Sequence, residues 1–145
     1  KYFIEDPENN VFVFTHSVSN QDADLVGLCK KLNISFSTDS INNAKLPFKP
    51  DLICSAYYKN IISKRIIDKV NGKIFNIHPS LLPDYKGCSS LTWAMINGEK
   101  TVGFTYHYID SSVDTGNIII QKSINYTQLF TIIYFINIWI SFYFF

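Results

Sequence analysis

The sequence predicts an α/β fold, a mostly parallel twisted sheet with flanking helices, and two observations carry that expectation. Short apolar runs alternate with stretches of helical period along the body of the chain, the pattern of successive βαβ units. The length of 145 residues suits one hydrophobic core and is too short for two that each bury a respectable interior. A hydrophobic fraction of 47% with six glycines excludes a disordered, collagen-like or low-complexity chain.

Taken in order, residues 11–14 read as a buried strand ending at Thr15 and His16. Residues 21–32 read as a helix, with Asn20 or Asp22 as its cap, acids in the first turn, Lys30 and Lys31 in the last, and Leu25, Leu28 and Leu32 at helical spacing. A short strand over 34–37 follows, then a loop punctuated by Pro47 and Pro50, then a strand over 51–56. The spacing of Ile62, Ile66 and Val70 predicts a helix over 60–70, stopped by Asn71 and Gly72. Residues 73–77 form the next strand, Pro79 and Pro83 bracket an irregular loop, and Ser89 or Ser90 caps a helix that runs through Met95 to Asn97 and Gly98. Strands over 102–109 and near 117–121 flank a polar loop over 110–116, and no internal repeat is present.

Thirteen Lys and Arg against twelve Asp and Glu leave a net charge of +1, so neither a polyanion-binding field nor an acidic tail is indicated. Cys29, Cys54 and Cys88 have neither zinc-type spacing nor the even count of a disulfide framework, which points to reduced thiols in the cytoplasm. The chain starts at Lys1 without an apolar leader or an initiator Met, as expected for a piece of a longer protein.

The end of the sequence differs in kind. After Lys122 there is no charged residue, and residues 123–145 hold nine of the 23 aromatics with no Gly or Pro. One folded domain over 1–122 followed by an apolar tail over 123–145 is therefore expected. Three readings of the tail stay open: a membrane anchor, a strand-rich edge that oligomerises, or out-of-frame translation of an A/T-rich gene.

Chemistry concentrates where strands end. Asn76 and His78 lie two apart at the carboxyl end of the strand over 73–77, so in extended backbone they share a face, and Asp114 falls in the loop after the next strand. Ligands of open α/β sheets bind at that edge. An amide donor beside an imidazole suits an oxyanion, and a carboxylate can hold the imidazole and take a proton directly or through water, a set fitted to acyl transfer. Each residue also has a plainer reading: a His before Pro is commonly a loop residue, and an Asp before Thr-Gly a turn residue. Ser80 and Ser89 lack a nucleophile elbow, and Cys88 reads as a small buried thiol. No His, Cys and carboxylate cluster has metal-ligand spacing, so no metal is expected.

The run Asn76-Ile77-His78-Pro79-Ser80-Leu81-Leu82-Pro83-Asp84-Tyr85-Lys86-Gly87 resembles the signature loop of the folate-dependent formyltransferases, the family of glycinamide ribonucleotide transformylase, methionyl-tRNA formyltransferase and the sugar N-formyltransferases. Residues 103–110 and 113–119 resemble its second block, with His78 and Asp114 at a suitable separation of 36 residues. The resemblance spans about residues 11–121. It implies a Rossmann-like catalytic domain, lacking the family's first strand, that moves a formyl group from 10-formyltetrahydrofolate to a primary amine. Asn76, His78 and Asp114 would be the catalytic groups. Lys59, Asn60, Ile61 and Ile62, with His107, Ile109, Asp110 and Val113, would border the pterin pocket. Pro79 is similar to the purine and sugar branches, and Ser89 to Glu99 looks most like the sugar N-formyltransferases. The implied acceptor is an amino sugar on a nucleotide, with glycinamide ribonucleotide and methionyl-tRNA as alternatives, a homo-oligomer as an open expectation, and an inactive remnant or membrane-associated module as the rival class.

Overall fold

The computed structural model of the chain describes residues 6, 8–16 and 25–125. They fall into two units, within residues 1–48 and 49–145. In the first, β1 (Phe12–Phe14) and β2 (Ser35–Ser37) pair in parallel with Phe12 opposite Ser35, and α1 (Leu25–Lys31) lies in the connection between them, as a βαβ unit requires. The helix does not bury its leucine stripe: Cys29 is the buried side chain, while Leu25, Leu28 and Leu32 are all at least 36% exposed. It ends as Asn33 turns left-handed, and the Ile34 N–H reaches the Cys29 carbonyl. The expected caps Asn20 and Asp22 lie outside the described residues.

The second unit contains β3 (Ile53–Ala56), α2 (Lys64–Lys69), β4 (Ile74–His78), α3 (Ser90–Ile96), β5 (Thr101–Tyr108) and β6 (Ile118–Asn125), with sheet order β3-β4-β5-β6. The α/β class with flanking helices holds. Among the described residues parallel pairing is confined to β1–β2 and β3–β4, whereas β5 and β6 run antiparallel to their neighbours. After α3 the chain re-enters the sheet from the end that β4 has just left.

Helix α2 starts four residues later than the apolar spacing predicts. Ser63 is extended at φ −70° and ψ 151°, and the adjacent β-branched Ile61 and Ile62 stay in the loop before it. The predicted face is nonetheless the one buried: Ile62, Ile66 and Val70 are all in the core beside Ile74. At its far end Asn71 and Gly72 are left-handed, and the Gly72 N–H closes on the Ile67 carbonyl at 3.3 Å. A smaller cluster joins Ala94 and Val102 to Tyr85 and Leu91, which seats α3 on β5.

β6 runs on to Asn125, past the boundary expected at Lys122, and the apolar tail from 126 onward lies outside the described residues. Among the described residues no helix is long and apolar enough to cross a membrane. The β5–β6 ladder carries a bulge: Tyr106 faces Ile120 while His107 faces Ile118. Such a bulge increases local twist and re-aims side chains, and here it falls on a residue of the cleft described next.

Candidate active site

The antiparallel register sets Asn76 opposite His107 and His78 opposite Thr105, so four polar side chains occupy one face at the carboxyl end of β4. The loop after β5 brings Asp114 over them. Its backbone is left-handed at φ 51°, a conformation that Asp tolerates better than most side chains. Gly116 makes the turn fit, because a Cβ there would collide with the Tyr108 carbonyl.

The carboxylate bridges two imidazoles. Asp114 Oδ2 lies 3.3 Å from His78 Nδ1, and Asp114 Oδ1 lies 3.4 Å from His107 Nε2. Oδ2 also accepts the Gly87 N–H at 2.8 Å, which ties the two loops together. Asn76 Nδ2 sits 3.3 Å from His107 Nε2. Asn76, His107, Asp114 and His78 thus line up as a polar chain of close contacts, with both rings nearly fully buried.

Hydrogen-bond chemistry assigns most of the protons. A backbone carbonyl only accepts, so His78 Nε2, 2.9 Å from the Tyr85 carbonyl, carries a hydrogen, and so does His107 Nδ1, 2.9 Å from the Tyr108 carbonyl. With its hydrogen on Nδ1, His107 offers the Nε2 lone pair to an Asn76 N–H, so no hydrogen lies between Nε2 and Asp114 Oδ1 and that 3.4 Å contact is proximity without a hydrogen bond. The contact with His107 consumes one of the two Asn76 amide hydrogens and leaves the second for a ligand. His78 has an acceptor at each nitrogen, the Tyr85 carbonyl at Nε2 and Asp114 at Nδ1. Ser90 Oγ completes the surroundings, 3.0 Å from His78 Nε2 and donating to the Gly87 carbonyl at 3.1 Å.

These groups open onto a cleft of about 650 Å³, within the range of small-molecule sites. All eight residues expected around a pterin border this cleft: residues 59–62 as one wall, Ile109, Asp110 and Val113 on the opposite loop, and His107 at the base. Residues 59–62 do so as a loop and not as the first turn of a helix. Asp110 is an anchor for its loop as well as a lining residue. Its carboxyl is held below the usual carboxylate range by the Thr115 hydroxyl, and by the Ser112 N–H.

Cys88 corrects an expectation. It is exposed and borders the cleft; it lies between left-handed Gly87 and Ser89, on the outside of a tight turn. Ser89 precedes α3 without a side-chain cap, and Ser90 is the serine that reaches His78. Four contributors were not picked out from the sequence: Tyr85, Ser90, Thr105 and the orienting role of His107. Alternation along β5 does place Thr105 and His107 on one face, and that is the signal available for two of them. Among the described residues no group of three or more His, Cys, Asp or Glu could hold a metal ion.

Fold and site together define an α/β protein with a sheet-edge cleft, in which a carboxamide, two imidazoles and a carboxylate are arranged to stabilise an oxyanion and move a proton. The chain belongs to the formyl transferase family, whose model matches residues 9–131. It is 36% identical over 122 residues to a GDP-perosamine N-formyltransferase of Brucella melitensis, covering 81% of this chain and 47% of that one. Its fold is similar to the crystal structure of phosphoribosylglycinamide formyltransferase from Bacillus halodurans, with a TM-score of 0.67 and 26% identity over 82% of this chain and 66% of that one. It is also similar to the formyltransferase PseJ from Anoxybacillus kamchatkensis, solved in complex with UDP-4,6-dideoxy-4-formamido-L-AltNAc and tetrahydrofolate. Here the TM-score is 0.59 and the identity 26%, over 79% of this chain and 60% of that one. The chain spans about half the length of the Brucella relative.

Proposed function

We propose that this chain carries the catalytic part of an enzyme that transfers a formyl group from 10-formyltetrahydrofolate to the primary amine of an amino-sugar nucleotide. The observation that carries the reading is the polar chain Asn76, His107, Asp114 and His78 at the base of the cleft. The Brucella relative and the PseJ complex support the acceptor class, and the tetrahydrofolate in that complex supports the cosubstrate.

The residues present fit such a ligand. Ile61, Ile62, Ile109 and Val113 offer apolar walls to a flat ring, and the base of the cleft is polar. When bound, 10-formyltetrahydrofolate supplies an activated formyl carbon. The free Asn76 N–H would face the negative charge developing on the formyl oxygen as the amine nitrogen bonds to that carbon, with the buried His78 ring beside it holding the Asp114 carboxylate in place. Asp114 would receive the amine proton, directly or through water, and the Asp114–His78 pair would hand a proton to the folate nitrogen as the bond from that nitrogen to the formyl carbon breaks. His107 keeps the Asn76 amide hydrogen-side inward throughout. The reaction in this reading is cytoplasmic, supported by three free cysteines, and needs no metal.

A second acceptor, glycinamide ribonucleotide, is favoured by one specific observation, the fold likeness to phosphoribosylglycinamide formyltransferase. The test gives the full chain 10-formyltetrahydrofolate with an amino-sugar nucleotide, glycinamide ribonucleotide or methionyl-tRNA, and measures formylated product. The expected result is a kcat/KM at least about tenfold higher for the amino-sugar nucleotide, a margin of roughly 1.4 kcal/mol in transition-state binding. Faster transfer to either other amine overturns the acceptor; no folate binding by calorimetry and no transfer overturn the enzyme reading.

A further inference from the structure

The loop after β4 is tied to a part of the sheet that lies outside the cleft. Register places His78 opposite Thr105, and Thr105 opposite Gln121, so three side chains form one row across β4, β5 and β6. Residues 80–82 fold back over this row. Thr105, fully buried, donates its hydroxyl to the Ser80 carbonyl at 2.6 Å and accepts the Leu82 N–H at 3.1 Å. Gln121 Nε2 donates to the Leu82 carbonyl at 2.7 Å and to Thr105 Oγ1 at 2.9 Å. Every hydrogen and lone pair of the Thr105 hydroxyl is then used, and so are both amide hydrogens of Gln121. Two residues before Thr105, Leu81 presses so close to Gly103 that a Cβ there would strike its side chain.

From this anchor the tie continues to the site. Ser80 Oγ donates to the Asp84 carbonyl at 2.6 Å, and the next carbonyl, that of Tyr85, lies 2.9 Å from His78 Nε2. We propose that Gln121, an exposed side chain on β6 that does not line the cleft, is a positioning residue for His78. By locking Thr105 and Leu82 it fixes the loop whose Tyr85 carbonyl holds the hydrogen on Nε2, and so keeps Nδ1 turned to Asp114. The inference takes the catalytic role of His78 from the reading above, and its first measurement does not depend on turnover.

The experiment records the imidazole ¹⁵N and ¹H NMR signals of His78 in the full chain and in Gln121→Met and Gln121→Glu, with Thr105→Val and Thr105→Ser as a parallel pair. Methionine keeps the length and loses both donors, whereas glutamate sets an oxygen against the Leu82 carbonyl. The expected order of displacement of the His78 signals is Gln121→Glu above Gln121→Met, with Thr105→Ser close to the parent and Thr105→Val moved. In the formyl-transfer assay Gln121→Met lowers kcat roughly tenfold with little change in the folate KM, since the loss falls on the chemical step. If Gln121→Met lowers the melting temperature and leaves the His78 signals in place, Gln121 is structural only and the proposal is overturned. If the signals move as expected in a chain that shows no formyl transfer, the positioning role stands and the functional reading fails. A variant too unstable for spectra is replaced by its partner in the other pair, because Thr105→Val and Thr105→Ser probe the same tie.

Discussion

The two loops that meet over the cleft are held in opposite ways. Residues 79–89, after β4, pass through left-handed Tyr85, Gly87 and Ser89 and take their shape from distant partners. Thr105 and Gln121 hold the first turn from β5 and β6, and the Tyr85 hydroxyl donates to Glu99 at 2.7 Å beyond α3. Residues 109–117, after β5, hold themselves. Asp110 accepts from Ser112 N–H and the Thr115 hydroxyl within the same loop, and Gly116 lets the chain close against Tyr108. The imidazole is thus held through the whole sheet, whereas the backbone that carries the carboxylate is shaped mainly within about nine consecutive residues, joined to β4 where the Ile109 N–H meets the Ile74 carbonyl. The loops touch at the Gly87 N–H and Asp114 Oδ2, where the two kinds of support combine.

The largest expected effect comes from breaking the chemistry at this junction while leaving both loops in place. Asp114→Asn keeps an oxygen for the Gly87 N–H but loses the charge facing His78 and the capacity to take a proton. Formyl transfer should fall by about 10²–10⁴-fold, with a melting temperature close to that of the parent. Steady-state kinetics and a thermal melt decide it. A variant that unfolds instead would mean that the carboxylate is a structural keystone of both loops, and the contrast between them would collapse.

Gly116→Ala sharpens the contrast from the other side. Its new methyl group meets backbone, not a flexible side-chain tip, so the loop must move. A destabilisation of about 1–3 kcal/mol is expected, in the range of overpacking at a rigid site. Because residues 109–117 are self-contained, the damage should stay local. His78 should keep its contact with the Tyr85 carbonyl while Asp114 shifts, visible as moved signals for Asp114 and unmoved ones for Tyr85. Equal disturbance of both loops would show that the support of residues 79–89 runs through Asp114 after all.

The same contrast explains what was legible in the sequence. Local patterns marked the strands and the face shared by Asn76 and His78, and the likeness of residues 113–119 to the family's second block placed Asp114 with them. A self-held loop is readable in this way because its anchors, Asp110, Thr115 and Gly116, are neighbours in the chain. Thr105 and Gln121 act on residues 80–82 only through the register of two antiparallel ladders, and register is not encoded in a local alternation. The reversal of β5 belongs with these, since strand direction is a property of the pairing and not of the strand's own residues. The leucine stripe of α1 shows the limit of periodicity: spacing identifies a helix, but burial of Cys29 depends on the parallel strands beside it.

The smallest expected effect concerns how the self-held loop responds to acid. The Thr115 hydroxyl and the Ser112 N–H favour the ionised form of Asp110, so its carboxyl titrates lower in the folded chain than in the unfolded one. A group with a depressed folded pKa stabilises the fold above its ordinary value, and that contribution fades as pH falls through the ordinary carboxylate range and then through the lowered one. Asp110→Asn keeps an oxygen for both donors yet cannot titrate. It should melt slightly below the parent at neutral pH, and the gap should narrow steadily as the pH is brought below about 4. Melting temperatures of the two proteins across that range test the point. Parallel curves would show that the charge of Asp110 contributes nothing to its loop, and that the turn is held by the geometry of Gly116 alone.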